Sequence, residues 1–411
     1  GNLLQSTDPS GRTVAYTYDM AGNALTSTVK SSPSLSATTT YAYDAFNRLA
    51  QVTSPKGEIT SYSYLPTGEL ASVRDPKGNS IGFQYDSKGR LVKKTDSDGA
   101  IFLFTYDAND NLVTEKDPNG NIKTYSYDAL NRAVHVQFPD DLINYEYNSR
   151  GQVFRISNST SIMTASTDSK DRLISSSFSG AGSVLNFPQI HLGYSYDNSG
   201  NLLSMTSAYG NLGYSYDSVN RLRGLTGFSG NQFQFDYDQS SRLTQITRPG
   251  SKSAFSYLPS GVVSAINHLQ TSTSNVISLA EYQYDDRNFP TLKRDLANTR
   301  GYSYDQNGQI SGVTVTAGIA SAAESFSYDQ IGNRLTDNLG SYTYDSKAQK
   351  LTEDWQYTYS YDANGNLTGK YPKQPGSKAY LYSYSSKNQL TNVKVLNGSL
   401  GPVVLETSYI Y

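Results

Sequence analysis

The chain has 411 residues, no cysteine, and 34 basic against 36 acidic residues, for a formal net charge of −2. This excludes a disulfide framework and thiolate chemistry, and it leaves no basic stripe on which a nucleic-acid backbone could land. No run of apolar residues is long enough to cross a bilayer as a helix.

The chain opens on Gly1-Asn2-Leu3-Leu4, which matches the second half of a turn seen complete at Gly200-Asn201-Leu202-Leu203, and then reaches Asp8-Pro9-Ser10-Gly11. From Tyr43 a longer pattern takes over, Tyr-x-Tyr-Asp-x-x-Gly-x-Leu with variants, as in Phe83-Gln84-Tyr85-Asp86-Ser87-Lys88-Gly89-Arg90-Leu91. Its second tyrosine falls at Tyr43, Tyr64, Tyr85, Tyr106 and Tyr127, a spacing of 21 residues held four times. It recurs less evenly at Tyr147, Tyr196, Tyr216, Tyr237, Tyr257 and Tyr284, and on to Tyr384. A constant period of this size marks a repeat architecture. Tyrosine is accordingly the compositional outlier, 35 residues against 14 Phe and one Trp; it favours strands, and its polar tip tolerates a half-wet position.

Each unit parses into two strands and two turns. In Tyr125-Ser126-Tyr127, alternation places both tyrosines on one face. Asp44, Asp86, Asp107, Asp128, Asp197 and Asp217 each open a turn, and the third residue beyond is Gly89, Asn131, Gly200 or another type that accepts positive φ. That describes a type I turn closed by a left-handed residue. The return strand begins at Leu91, Leu112 or Leu222. Ser54-Pro55-Lys56-Gly57, Asp75-Pro76-Lys77-Gly78 and Asp117-Pro118-Asn119-Gly120 supply the opposite turn in the same phase. Segments near 154–191, 267–281, 311–325 and 370–380 break the period, are rich in Ser, Thr, Ala and Gly, and read as inserted loops.

The expected fold is all-β: continuous antiparallel hairpins, about eighteen of them. At ~4.8 Å per strand the strip would run on the order of 170 Å while being only ~20 Å wide. Strand twist forbids so long a flat ribbon, so it must coil into a curved, spiralling sheet. Tyr85, Tyr106 and Tyr127 should form a ladder along it, with Val92 and Val113 of the return strands between them.

No catalytic residue, metal site or cofactor is expected. The repeat aspartates recur ~10 Å apart, whereas calcium needs six to eight converging oxygens; an Asx-turn, with the carboxylate accepting a backbone N–H two residues on, accounts for them better. Arg48, Arg90, Arg132, Arg172, Arg221, Arg242 and Arg334 are read as pairing with nearby carboxylates or covering Tyr rings. His135, His191 and His268 are far apart, Gly180-Ala181-Gly182 opens no phosphate-binding helix, and Trp355 is read as packed.

Tyr-Asp-x-x-Gly-Arg-Leu at this period resembles the YD-repeat, or Rhs (rearrangement hot spot), family over essentially the whole chain. That family includes bacterial Rhs polymorphic toxins, the C component of insecticidal Tc toxin complexes, wall-associated surface proteins and the teneurins. The resemblance implies a β-strip wound into a hollow shell. In toxin members the shell encloses a C-terminal cytotoxic domain; in adhesion members it is an extracellular scaffold. It thus implies a secreted or cell-surface bacterial protein, a non-enzymatic wall whose partners are an enclosed cargo or toxin domain or adjoining shell segments. The alternatives are an adhesion scaffold that binds a protein or glycan through its inserted loops, and a self-cleaving aspartyl protease at the shell end. Toxin shells end in an Asp-Pro-x-Gly-Leu-like segment, which Asn397-Gly398-Ser399-Leu400-Gly401-Pro402 does not match, so self-cleavage is not carried over. Because Gly1 and Tyr409-Ile410-Tyr411 fall inside repeats, residues 1–411 are expected to be one shell segment truncated at both ends.

Overall fold

Forty β-strands and no helix make up the described part of the chain. The structure is a computed structural model that describes residues 1–9, 11–32, 35–181, 189–318, 320–347 and 349–409. Gly182, Ile410 and Tyr411, and parts of the segments 154–191 and 311–325, lie outside the described residues. Every named strand pair is antiparallel and joins strands consecutive in sequence, as with Ser80–Tyr85, Leu91–Thr95, Ile101–Tyr106 and Leu112–Lys116. The ladder runs through 30 strands, then 3, then 7. At the two breaks single backbone bonds carry it on: Phe326 N–H donates to Ser311 and Tyr342 N–H to Leu335, both at 2.9 Å.

A bulge sits at the same place in each repeat. Thr105 pairs with Thr114, but Tyr106 pairs with Leu112, so Val113 is skipped. The same slip recurs at Tyr43, Tyr64, Tyr85, Tyr127, Tyr196 and Tyr216. The turn beyond it explains the slip. Asp107 N–H donates to Asn111 O at 2.9 Å and Asp110 N–H to Asp107 O at 3.3 Å, with Asp110 at φ 68°. This is a type I turn closed by a left-handed residue, which inserts one extra residue into the return strand.

The period-breaking segments mostly prolong the ladder. Val263–Gln270 and Val276–Tyr284 stay paired from Ala265–Glu281 to Leu269–Val276. Ile310–Ala317 pairs with Ala320–Ser325, and Ser161–Thr167 with Leu173–Gly180. Alternating Thr, Ser and Val suit a pleated surface, so the added residues lengthen hairpins.

The sheet is one layer thick. Among the described residues the buried hydrophobic side chains are Val136, Tyr357, Ala379 and Val395. The accessible surface is 23632 Å², against about 16,000 Å² for a compact protein of this mass. The strip is curved, and it winds past itself: residues separated in sequence by 243 to 275 positions are hydrogen-bonded. It forms an unclosed, spiralling solenoid whose two long edges are made of turns.

Candidate functional site

The working parts of this molecule are the lock that holds hairpin to hairpin and the seam that holds winding to winding. The lock starts at the turn aspartate. Asp128 Oδ1 accepts the N–H of Leu130 at 2.9 Å and of Arg132 at 3.0 Å, while Oδ2 accepts Arg132 Nε at 2.7 Å. Asp44, Asp86 and Asp217 repeat the set with Arg48, Arg90 and Arg221. In Asp107 and Asp197, Asn111 and Asn201 supply the side-chain donor at 2.9 and 2.8 Å. Gly89 and Gly200 close their turns at φ 78° and 92°, and Asn131 does so at 57°.

The second tyrosine ties most hairpins to the one before. Tyr106 donates its hydroxyl to the carbonyl of Leu91 at 2.9 Å. Tyr85 bonds Leu70, Tyr127 bonds Leu112, Tyr43 bonds Ala24, Tyr196 bonds Leu173 and Tyr216 bonds Leu202 in the same way. The ladder between these hairpins ends early: Ile101, Phe102 and Leu103 pair with Thr95, Lys94 and Lys93, and pairing stops there. The Leu91 carbonyl lies beyond that last pair, and the phenol takes it. Successive hairpins are thus joined by ladder bonds at the Pro-Gly end and by a side chain at the Tyr-Asp end, an asymmetry that lets the strip bend.

Arginines cover several rings of the tyrosine series. The Arg90 guanidinium lies 4.8 Å from the Tyr106 ring centroid and donates to Asp107 O at 3.1 Å. Arg48 sits over Tyr64, Arg132 over Tyr147, Arg172 over Tyr196 and Arg221 over Tyr237. One side chain therefore pairs with its own turn and stacks on the next hairpin's ring. The opposite face carries hydroxyl pairs at matched positions, such as Ser63–Ser72 at 2.7 Å and Thr105–Thr114 at 2.6 Å.

Hydrogen bonding sets the charge state of these turns. The Arg132 side chain first, then its N–H, hold the Asp128 carboxyl below its ordinary value. Asn111 does the same for Asp107 and the Arg90 side chain for Asp86. The N–H groups of Ala297 and Asn298 bring Asp295 down to about 2. A depressed carboxylate adds stability that is full above its unfolded value and is lost as pH falls through the folded one. The melting temperature should therefore be steady above about pH 5 and fall progressively below it, most steeply between the ordinary value of 3.8 and about 2, Asp295's value. Melting curves recorded against pH test this; a melting temperature that does not change between about pH 5 and pH 2 would contradict it.

The seam joins the Pro-Gly edge of the first winding to the Tyr-Asp edge of the second. Arg12 Nη1 donates to Arg287 O at 3.3 Å. Lys56 pairs with Asp305 at 2.6 Å, Lys77 with Asp329 at 3.0 Å, Lys350 with Asp98 at 3.2 Å and Lys387 with Asp141 at 2.6 Å. Asn119 Nδ2 donates to Asp362 at 3.0 Å. Burial pushes the Asp305 carboxyl up, but the bond and charge of Lys56 together with the N–H groups of Gln309 and Asn307 outweigh it, and the net direction is down. The sequence reading passed over these seam residues. The available signal was that Lys56, Lys77, Asp98 and Asn119 differ in charge at one position of turns that share a closing glycine.

No group of three or more His, Cys, Asp or Glu side chains able to hold a metal occurs among the described residues. His135 Nδ1 lies 2.8 Å from Asn144 Oδ1, and His268 Nδ1 lies 2.6 Å from the Oγ of buried Ser253. Trp355 is partly exposed, against Gly340.

The teneurin YD-shell sequence profile matches residues 3–170 and 155–268, more than half of the chain. Among solved structures, the chain is similar to TcdB2-TccC3 over 98% of its length at 15% identity, with a TM-score of 0.70. It is similar to TcdB2-TccC3-Cdc42 over 94% at 15% identity, again with a TM-score of 0.70. The Photorhabdus luminescens Tc holotoxin pore matches over 94% at 15% identity with a TM-score of 0.73. The chain spans about a quarter of those chains, 27%, 26% and 24% respectively.

Proposed function

Because the chain belongs to the teneurin YD-shell family, we propose that it is a length of non-enzymatic wall in a shell that encloses a cargo or toxin domain. The observation that carries this reading is the seam. A one-layer strip that bonds to itself 243 to 275 residues later surrounds space instead of filling it, which suits a container. The likeness in fold to Tc toxin components supports a bacterial, secreted or surface setting, with the enclosed domain or adjoining shell segments of the same protein as partners. Limited proteolysis of the full-length protein tests it. The enclosed domain should survive native digestion and be cleaved once the shell is unfolded by denaturant. Prompt cleavage in the native state would overturn the reading.

A second reading, an adhesion scaffold, is favoured by one feature. Met20, Phe46, Leu130 and Val219 stand exposed at tips of the Tyr-Asp turns, and apolar groups placed so serve contact with other molecules. Replacing Phe46 and Leu130 with serine should abolish cell attachment on that reading and leave cargo protection intact on the first.

A further inference from the structure

We propose that the third residue of each Pro-Gly-edge turn is a register code that fixes which hairpin of one winding meets which hairpin of the next. It concerns how the wall aligns its windings and stands whether or not a cargo is enclosed. Successive turns on the first winding present Lys56, Lys77, Asp98, Asn119 and Asp140 at this position. Facing them in the same order are Asp305, Asp329, Lys350, the Asp362–Asn364 pair and the Ser386–Lys387 pair. Cation meets carboxylate at the first three, and the polarity reverses between the second and the third.

The neutral step is matched with equal care. Asn119 donates its N–H to Asn364 Oδ1 and accepts the N–H of Ala363, both at 3.0 Å. At the last step two adjacent acids, Asp140 and Asp141, meet the one turn in this stretch where serine, Ser385, replaces the opening aspartate. Ser386 N–H donates to Asp140 at 3.0 Å and Lys387 pairs with Asp141, which is only 8% exposed. Pairs this shielded are screened less than those on an open surface.

A slip of one hairpin breaks the code in either direction. Moved one way, Asp98 meets the Asp362 turn. Moved the other way, Asp98 meets Asp329, and Asp140 and Asp141 meet Asp362. Like charges brought together cost more than the correct pairs gain, which is how charge patterns reject wrong partners. The seam needs such a device because the lock inside each repeat is nearly identical from one hairpin to the next and carries no register information.

The chain has no cysteine, so introduced pairs report register cleanly. Ser97 Oγ donates to Lys347 O at 2.5 Å; Ser97→Cys with Lys347→Cys should cross-link on mild oxidation of the full chain. Ser97→Cys with Asn364→Cys, which reports a one-hairpin slip, should not. In the first background, Asp98→Lys alone and Lys350→Glu alone should each lower the cross-linking rate, by about tenfold at low salt. The two together should restore it. Lysine at position 98 matches the residue type of the equivalent Lys56 and Lys77, so the turn accepts it. Lys350→Glu lies on the other winding and serves as the independent arm. Unchanged rates in the single variants would overturn the proposal, as would a loss that the double variant does not recover.

Discussion

Replacing Tyr106 with alanine should destabilise its part of the strip by about 2–4 kcal/mol, whereas phenylalanine there should cost only about 1 kcal/mol. The larger figure lies below the full range for a buried aromatic ring because this ring is half-buried, in a one-layer sheet. Alanine removes three things at once: the packing of the ring, the platform 4.8 Å beneath the Arg90 guanidinium, and the 2.9 Å hydroxyl bond to Leu91. Phenylalanine keeps the first two and leaves the Leu91 carbonyl without its partner. Hydrogen-exchange protection of strands Leu91–Thr95 and Leu112–Lys116 is the suitable measure, since repeat arrays open locally. Equal losses in the two variants would mean that the hydroxyl bond, and not the ring, holds the hairpins together. No loss in either would remove the tyrosine from the lock.

Gly308→Val should be about as damaging, at roughly 2–4 kcal/mol. Gly308 sits at φ 82°, and a Cβ there would lie 2.7 and 2.9 Å from the Phe289 ring. That ring has little room to yield, because it packs on Tyr304 at 5.1 Å and carries Arg287 at 4.7 Å. Asn307 beside it bonds Glu58 across the seam at 2.6 Å, so the damage should reach the winding contact as well. Gly57→Ala is the control. Its φ is 86° with nothing within 4 Å of a new Cβ, so only backbone strain of about 1 kcal/mol remains. Similar denaturation midpoints for the two variants would show that the Phe289 contact does not matter.

The sequence made the repeat legible because its determinants are local. Tyr-x-Tyr-Asp with Gly or Asn three residues on encodes a strand, a face and a turn within a single hairpin. A subtler local signal bears on the lock. The first tyrosine is replaced by phenylalanine at Phe83, Phe104, Phe235, Phe255 and Phe326, while the second is kept from Tyr43 to Tyr384 except in one repeat, where Thr167 stands. The second position's hydroxyl bonds a backbone carbonyl of the preceding hairpin, as Tyr106 does, whereas the first position's hydroxyl, where one is present, reaches a carboxylate, as at Tyr125, Tyr342 and Tyr359. Arg90 was legible as a partner for carboxylate and ring, but not as the residue that does both across two hairpins. The bulge hides this, because the slip between Thr105 and Tyr106 changes which residues lie opposite one another. The seam was hidden more deeply. Lys56 and Asp305 are 249 residues apart, and no local pattern encodes how far a strip travels before it meets itself. That distance follows from curvature summed over many hairpins.

An electron cryo-microscopy map of the full-length protein tests the central claim most directly. The map should show a single-layer spiral with Lys56 against Asp305 and Lys387 against Asp141 at the seam, and separate density for an enclosed domain on the concave side. A solid two-layer sandwich, or a wall with no density inside it, would contradict the account and leave the adhesion scaffold as the better description.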